Sequence, residues 1–119
     1  MKKPKIKTLR DKLEDLVRTY TRERDNNTCQ KCGRHVEGSC SQPSHVIPKG
    51  RCLRLRYDPL NIKTLCLFHH RWWHDNPTES GEWFKKKFPK RWAYLEKHRY
   101  ERAGFTREDY LRMIEKYET

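Results

Sequence analysis

No stretch of this sequence approaches the roughly 18 consecutive apolar residues of a membrane span. The opening run, Met1-Lys2-Lys3-Pro4-Lys5, also lacks the apolar core of a secretory signal. Both absences point away from a spanning or exported protein and set the expectation of an intracellular, cytoplasmic one. Apolar residues are scarce throughout: 34% of the 119 residues are hydrophobic and 37% are charged, so one domain with a thin core is expected. Domains of that kind usually need a metal or disulfide staple. No internal repeat or low-complexity tract is found, which excludes a repeat array. The five cysteines are an odd number, so disulfides alone do not account for them. In a reducing compartment, closely spaced cysteines more often bind metal.

Acidic charge is also in deficit. There are 16 Asp and Glu against 28 Lys and Arg, a net charge of +12. The excess is spread as +4, +5 and +3 over residues 1–28, 29–76 and 77–119. Lys and Arg that neutralise phosphates release condensed counterions, so a polyanionic partner is the natural inference. A merely soluble basic protein is the bland alternative. Membrane-surface binding fits less well, because the basic segments carry no continuous apolar face.

The periodicity predicts a helix over residues 8–24, where Leu9, Leu13, Leu16, Val17 and Tyr20 recur at helical spacing. Asp25-Asn26-Asn27 is a stop signal. Residues 40–46 read as extended, Pro48-Lys49-Gly50 as a turn, and Leu53 to Tyr57 as a second strand, because apolar residues there alternate with Arg. A helix is predicted from about Leu65 to His74, ended by Asp75-Asn76-Pro77. Three more helices follow, over 79–87, 89–103 and 106–117. Pro89 suits the first turn of its helix, and Thr106-x-x-Asp109 resembles a capping box. The expected organisation is a basic N-terminal helix over 1–28, a stapled core over 29–77 and a helical extension over 78–119.

Two half-sites carry metal-binding chemistry: Cys29-x2-Cys32-Gly33 and Cys66-x2-His69. Gly33 permits the tight turn that brings two thiolates to one ion, and residues i and i+3 share a helix face. Four such ligands close a tetrahedral, structural Zn²⁺ site. Cys40 and Cys52 are left over: either could be a minor ligand, but the expected state of both is a buried free thiol.

Between the half-sites lie Ser44-His45-Val46-Ile47-Pro48, Asn61-Ile62-Lys63-Thr64-Leu65-Cys66 and His69-His70-x3-His74. In this order, with the Arg24-Asp25-x3-Cys29-x2-Cys32-Gly33 lead-in, the chain resembles the HNH (ββα-metal) endonucleases, particularly small phage-type members with a structural zinc. The resemblance covers about residues 22 to 95, including Trp72-Trp73-His74 and the segment from Trp83-Phe84 to Leu95. It implies an α+β, mainly helical fold with a zinc-stapled hairpin-plus-helix core between N-terminal and C-terminal helices. It also implies a role for each residue. His45 matches the general base that activates water. Asn61 matches the residue that ligates the catalytic metal or holds the catalytic loop. His70 matches the final metal or phosphate ligand, with His74 one turn on.

Helix geometry supports the division of roles. Cys66 and His69 lie about 60° apart on one stripe, and His70 and His74 about 40° apart on another. Many relatives carry Asp or His immediately before the base, where this chain has Ser44, so Asp58 or His45 itself is an alternative ligand for a catalytic Mg²⁺ or Mn²⁺.

Lys49, Arg51, Arg54 and Arg56 are the first choices for phosphate contacts. The cluster Lys85-Lys86-Lys87 with Lys90-Arg91 is a second basic patch and equally a solvated helix face. The expected function is metal-dependent hydrolysis of DNA, double-stranded by the resemblance. A monomer would nick it and a homodimer would cut both strands. Phage or prophage origin rests on the resemblance alone. Singly, His45 reads as a strand-end imidazole satisfied by a carbonyl, Asn61 as a helix cap and His74 as a complement to a helix dipole. Their order together with the zinc half-sites points to a nuclease. The alternatives are a zinc-stapled DNA-binding module with a degenerate site, and an RNA-directed nuclease.

Overall fold

A computed structural model describes residues 3–102 and 104–118. The chain is mainly helical, with one two-stranded antiparallel sheet. In order, the elements are α1 (Ile6–Arg24), β1 (Gln42–His45), α2 (Leu53–Arg56), β2 (Ile62–Leu65), α3 (Leu67–Asp75), α4 (Pro77–Lys87), α5 (Pro89–His98) and α6 (Arg107–Glu118). No helix among the described residues is long and apolar enough to cross a membrane.

Helix α1 forms where its periodicity predicts it. Leu9, Leu13, Val17 and Thr21, four residues apart, are buried on one face. That face packs with Tyr57, Ile62 and, from α6, Tyr110 and Ile114. The start of α6 is the reciprocal capping box: the Thr106 N–H donates to Asp109 Oδ2 (2.8 Å) and the Asp109 N–H to Thr106 Oγ1 (3.2 Å). A second apolar cluster gathers Val46, Ile47, Cys52, Leu55, Phe84 and Leu95, with Trp73, Trp83 and Trp92 partly buried against it. Three of the four tryptophans are thus packing residues, and Trp72 meets Trp83 edge-on at 5.8 Å. Helix α4 starts at Pro77, two residues before its expected start, because a proline at the first turn lacks only an N–H that had no partner. Helix α5 ends at His98 rather than reaching 103.

The hairpin differs from expectation. The partner of β1 is Ile62–Leu65, in the register Gln42↔Leu65, Pro43↔Thr64, Ser44↔Lys63, His45↔Ile62. The predicted strand at Leu53 to Tyr57 is instead the one-turn helix α2 followed by a bend. The Leu-Arg alternation misleads because Leu55 is buried in the second cluster while Leu53 packs on the first. Strand β2 is buried at all four positions and so shows no alternation. Its outer edge is closed by groups distant in sequence. The Thr64 N–H donates to Asp25 Oδ2 (2.9 Å), and the Thr64 carbonyl accepts from Gln30 N–H (2.9 Å). Arg24 is clamped to Asp25 and donates to the Pro59 and Ile62 carbonyls (2.6 Å each). The Arg24-Asp25 pair of the lead-in therefore braces the sheet.

Candidate metal centre and histidine cleft

Cys29 and Cys32 sit on a knuckle. Gly33 adopts φ +77°, and its N–H donates to the Cys29 carbonyl (2.8 Å). Cys66 caps the N-terminus of α3, its sulfur accepting from the His69 N–H at 3.4 Å. One ligand atom from each of Cys29, Cys32, Cys66 and His69 lies within 4.8 Å of the others. The His69 Nδ1 is 3.8 Å from the Cys29 Sγ and 3.4 Å from the Cys66 Sγ, and the Cys32 and Cys66 sulfurs are 4.0 Å apart. A tetrahedral Zn²⁺ with bonds of about 2.3 Å to sulfur and 2.0 Å to nitrogen has edges of roughly 3.5 to 3.8 Å. The donor set and its spacing fit such an ion.

The electrostatics point the same way. Burial works to raise the Cys29 thiol, but N–H groups of Cys32, Cys66 and Lys31 directed at the sulfur hold it below the ordinary value. Cys66 is raised by burial and by the neighbouring thiols. His69 is lowered by burial, then by Lys31 and Arg34, so its imidazole is the neutral form that ligates. The Cys3His group can hold one structural metal ion, tying the knuckle to α3. Cys40 is exposed rather than buried as expected, whereas Cys52 is buried, with its thiol directed at the His98 and Glu101 carbonyls.

A cleft of about 700 Å³ opens on the other side of α3, and His45, His70 and His74 line it together. His45 ends β1. Its Nε2 lies 2.9 Å from the Arg56 carbonyl, which only accepts, so the proton sits on Nε2 and the lone pair on Nδ1. Burial first, then Lys49 and Lys63, push this imidazole down to about 4, although the Arg56 carbonyl opposes them. On α3 the Nε2 atoms of His70 and His74 face each other at 3.2 Å, about the spacing of neighbouring ligands on one ion. His70 is lowered by burial, then by His74 and Lys63. Among the described residues no third His, Cys, Asp or Glu completes a three-ligand group with this pair.

Arg18, Arg22, Lys49 and Arg99 also line the cleft, and no Asp or Glu does. Arg18, Arg22 and Arg99 are absent from the sequence-based selection. The one signal that marks two of them is the i, i+4 spacing of Arg18 and Arg22 on α1. Arg22 is fixed by Ser41, its Nε donating to Oγ at 3.1 Å.

Several expected site residues fall elsewhere. Asn61 is fully buried beneath the loop rather than aimed at the histidine pair. Its Oδ1 accepts from the Ile47 N–H (2.7 Å), and its Nδ2 donates to the Ile47 and Leu55 carbonyls (3.0 Å each). Of its two expected roles, the loop brace is the one these bonds fit, and metal ligation is not. Asp58 lines a different cleft; its carboxylate accepts from the Leu60 N–H (2.9 Å) and the Tyr94 hydroxyl (2.5 Å), so it does not reach the histidines. The expected basic cluster is dispersed because α2 replaces the strand. Only Lys49 faces the histidine cleft, while Arg54 pairs with Glu101 (2.8 Å), Arg51 lines a neighbouring cleft and Arg56 leans over Tyr57.

Ser44 is buried and bonded to Lys63, whose ammonium contacts its Oγ (3.1 Å) and carbonyl (3.4 Å). Lys63 is fully buried with its nitrogen 3.3 Å from the centre of the Trp73 ring, and burial pushes it well below the usual lysine value. Nothing in the sequence distinguishes Lys63 from a solvated lysine. Comparison with protein-family models, with curated proteins and with solved structures finds no match.

Proposed function

We propose that this chain is a metal-dependent endonuclease of the HNH type that hydrolyses phosphodiester bonds in DNA. The observation that carries the proposal is the histidine cleft: three imidazoles and four basic side chains line it, with Glu14 paired to Lys49 (2.5 Å) and Arg18 (3.6 Å) and Glu96 paired to Arg99 (2.5 Å) at its margin. A cleft whose lining cations outnumber the carboxylates paired with them attracts a polyanion, and an imidazole inside it that stays neutral equips the site for hydrolysis.

His45 is suited to be the general base. Its Nε2–H is held by the Arg56 carbonyl, which orients the ring and leaves Nδ1 to take a proton from water. Arg18, Lys49 and Arg99 would position phosphates by charge. His70 and His74 would hold one divalent cation, which when bound supplies charge stabilisation at the phosphate and the departing oxygen. Two imidazoles with no carboxylate favour Mn²⁺ over Mg²⁺, because Mg²⁺ prefers oxygen ligands and imidazole suits later metals. Cys29, Cys32, Cys66 and His69 would hold a separate structural zinc.

The binding-only reading has one observation in its favour. Ser44, at the position where many HNH relatives carry a metal-ligating Asp or His, is occupied with Lys63 instead. Plasmid nicking by zinc-loaded protein separates the two readings. We expect nicking with added Mn²⁺, weaker nicking with Mg²⁺ and none with His45→Ala. DNA binding without nicking under either metal would establish the binding module.

A further inference from the structure

Beside the histidine cleft lies a second one of about 750 Å³, and the two share Ile47, Pro48 and Arg99 along a common wall. The second cleft carries Arg51, Tyr100 and Arg102. Its one acidic residue, Glu101, is already committed, to Arg54 at 2.8 Å and to His98 at 2.6 Å. Arg99 on the shared wall is paired with Glu96 (2.5 Å), while Arg51 and Arg102 form no ion pair among the described residues, so these two carry the positive charge of the second cleft. Tyr100 is the most exposed large hydrophobic side chain described, at 82%.

The backbone that presents Tyr100 is nonetheless tied down. The Glu101 N–H donates to the His98 carbonyl (3.1 Å), and the buried Cys52 thiol donates to the carbonyls of both His98 (3.6 Å) and Glu101 (3.4 Å). The Arg54–Glu101 ion pair adds a side-chain anchor. Four contacts hold the turn in place while the ring it carries faces water, with the Arg99 guanidinium 5.4 Å from the ring centre. An aromatic ring on an anchored turn, in a cleft that also carries Arg51 and Arg102, has the composition of a stacking platform for an unpaired base. Basic side chains follow the phosphates and the ring covers the base face. A paired base is already stacked on both sides and offers no face to such a ring.

We propose that this second cleft is a binding subsite for a single-stranded segment of DNA that continues from the bond placed at His45, with Tyr100 stacking on one of its bases. The assignment rests on the nuclease reading for its direction, but it concerns binding and is measurable without cutting. The substrate class it implies is DNA with an unpaired stretch beside the scissile bond, such as an overhang, a flap or an opened duplex.

The test is fluorescence anisotropy with zinc-loaded full-length protein and a fluorescein-labelled oligothymidine, without added Mn²⁺ or Mg²⁺. A fully paired duplex is titrated in parallel. Losing one base–aromatic stack costs about 5- to 100-fold in affinity, so Tyr100→Ala should weaken oligothymidine binding by roughly that factor and duplex binding far less. Tyr100→Phe keeps the ring and should bind as wild type does. Replacing Arg51 and Arg102 together should flatten the salt dependence for the single strand by roughly 1.4 in log–log slope. Unchanged binding by Tyr100→Ala, a loss in Tyr100→Phe as large as in Tyr100→Ala, or an equal loss for duplex and single strand would each overturn the subsite. Failure of the nuclease reading looks different: the plasmid stays intact while the Tyr100→Ala effect on oligothymidine persists.

Discussion

His45 sits where two demands on an imidazole meet. Its Nε2–H is spent on the Arg56 carbonyl, and burial with two nearby lysines keeps the ring neutral, its pKa near about 4. A base must be unprotonated to act, so the His45 limb of the pH–rate profile should stay flat from pH 8 down to about 5. An ordinary histidine would already lose rate near about 6.5. Plasmid nicking measured across that range checks this, and a half-maximal rate near pH 6.5 would contradict it. His45→Ala should lower the rate by about 10²–10⁴ with zinc content retained. The same depression has a stability consequence. Because the folded-state value lies below the unfolded one, the stabilisation is fully present above about pH 6.5. It is lost as pH falls through the folded value near 4, on the order of 3 kcal/mol. Urea midpoints of wild type and His45→Gln at pH 7 and pH 4.5 should diverge accordingly. Asn61 makes a parallel case. Removing its amide strands the Ile47 N–H and two carbonyls in a buried site, so Asn61→Ala should destabilise by about 2–4 kcal/mol in denaturant melts.

At the scale of elements, helices were far more legible than strands. The faces of α1 and α6 follow from 3.6-residue periodicity, and the Thr106–Asp109 box forms as read. The first strand, β1, lies within the expected 40–46, and the second was misplaced for a specific reason. A strand's identity lies in what it pairs with, and β2 is completed by Asp25, Gln30, Arg24 and Arg91, all remote in sequence. Leu-Arg-Leu-Arg shows strand alternation, yet its two leucines serve different clusters as a single helical turn. The knuckle and the start of α3 are joined by the Cys3His group, which sets the element-level prediction. Dialysed protein should retain about one zinc per chain. Cys29→Ser should lose the metal and melt at a clearly lower temperature, while exposed Cys40→Ser should match wild type. Cys52→Ser should stay close to wild type as well, since a hydroxyl can donate to the same carbonyls. A fully folded metal-free protein would remove the staple.

Across the whole molecule, charge and topology act together. The net charge of +12 calls for a polyanion, but only the fold concentrates Arg18, Arg22, Lys49 and Arg99 around the histidines, with Glu14 and Glu96 as their paired carboxylates. DNA affinity should therefore fall steeply with salt. Arg18→Ala with Lys49→Ala should weaken binding several-fold and reduce the log–log salt slope by roughly 2. The pair Lys85→Ala and Lys86→Ala, on the exposed face of α4, should do much less. Equal effects in filter-binding titrations would place the DNA face elsewhere. What the sequence determined by itself was the local chemistry: helical faces, capping, the metal half-sites, and the separation of Cys66 and His69 from His70 and His74 around one helix. Each depends on residues within a turn or two of one another, and spacing along the chain is enough to set them. The tertiary structure decided which strand pairs with β1, that Asn61 braces a loop, that Asp58 faces another cleft, that Lys63 is buried against Ser44 and Trp73, and which cations meet the histidines. Those outcomes depend on contacts between α1, β1, α3 and the end of α5, segments up to some eighty residues apart, where packing rather than spacing selects the neighbours.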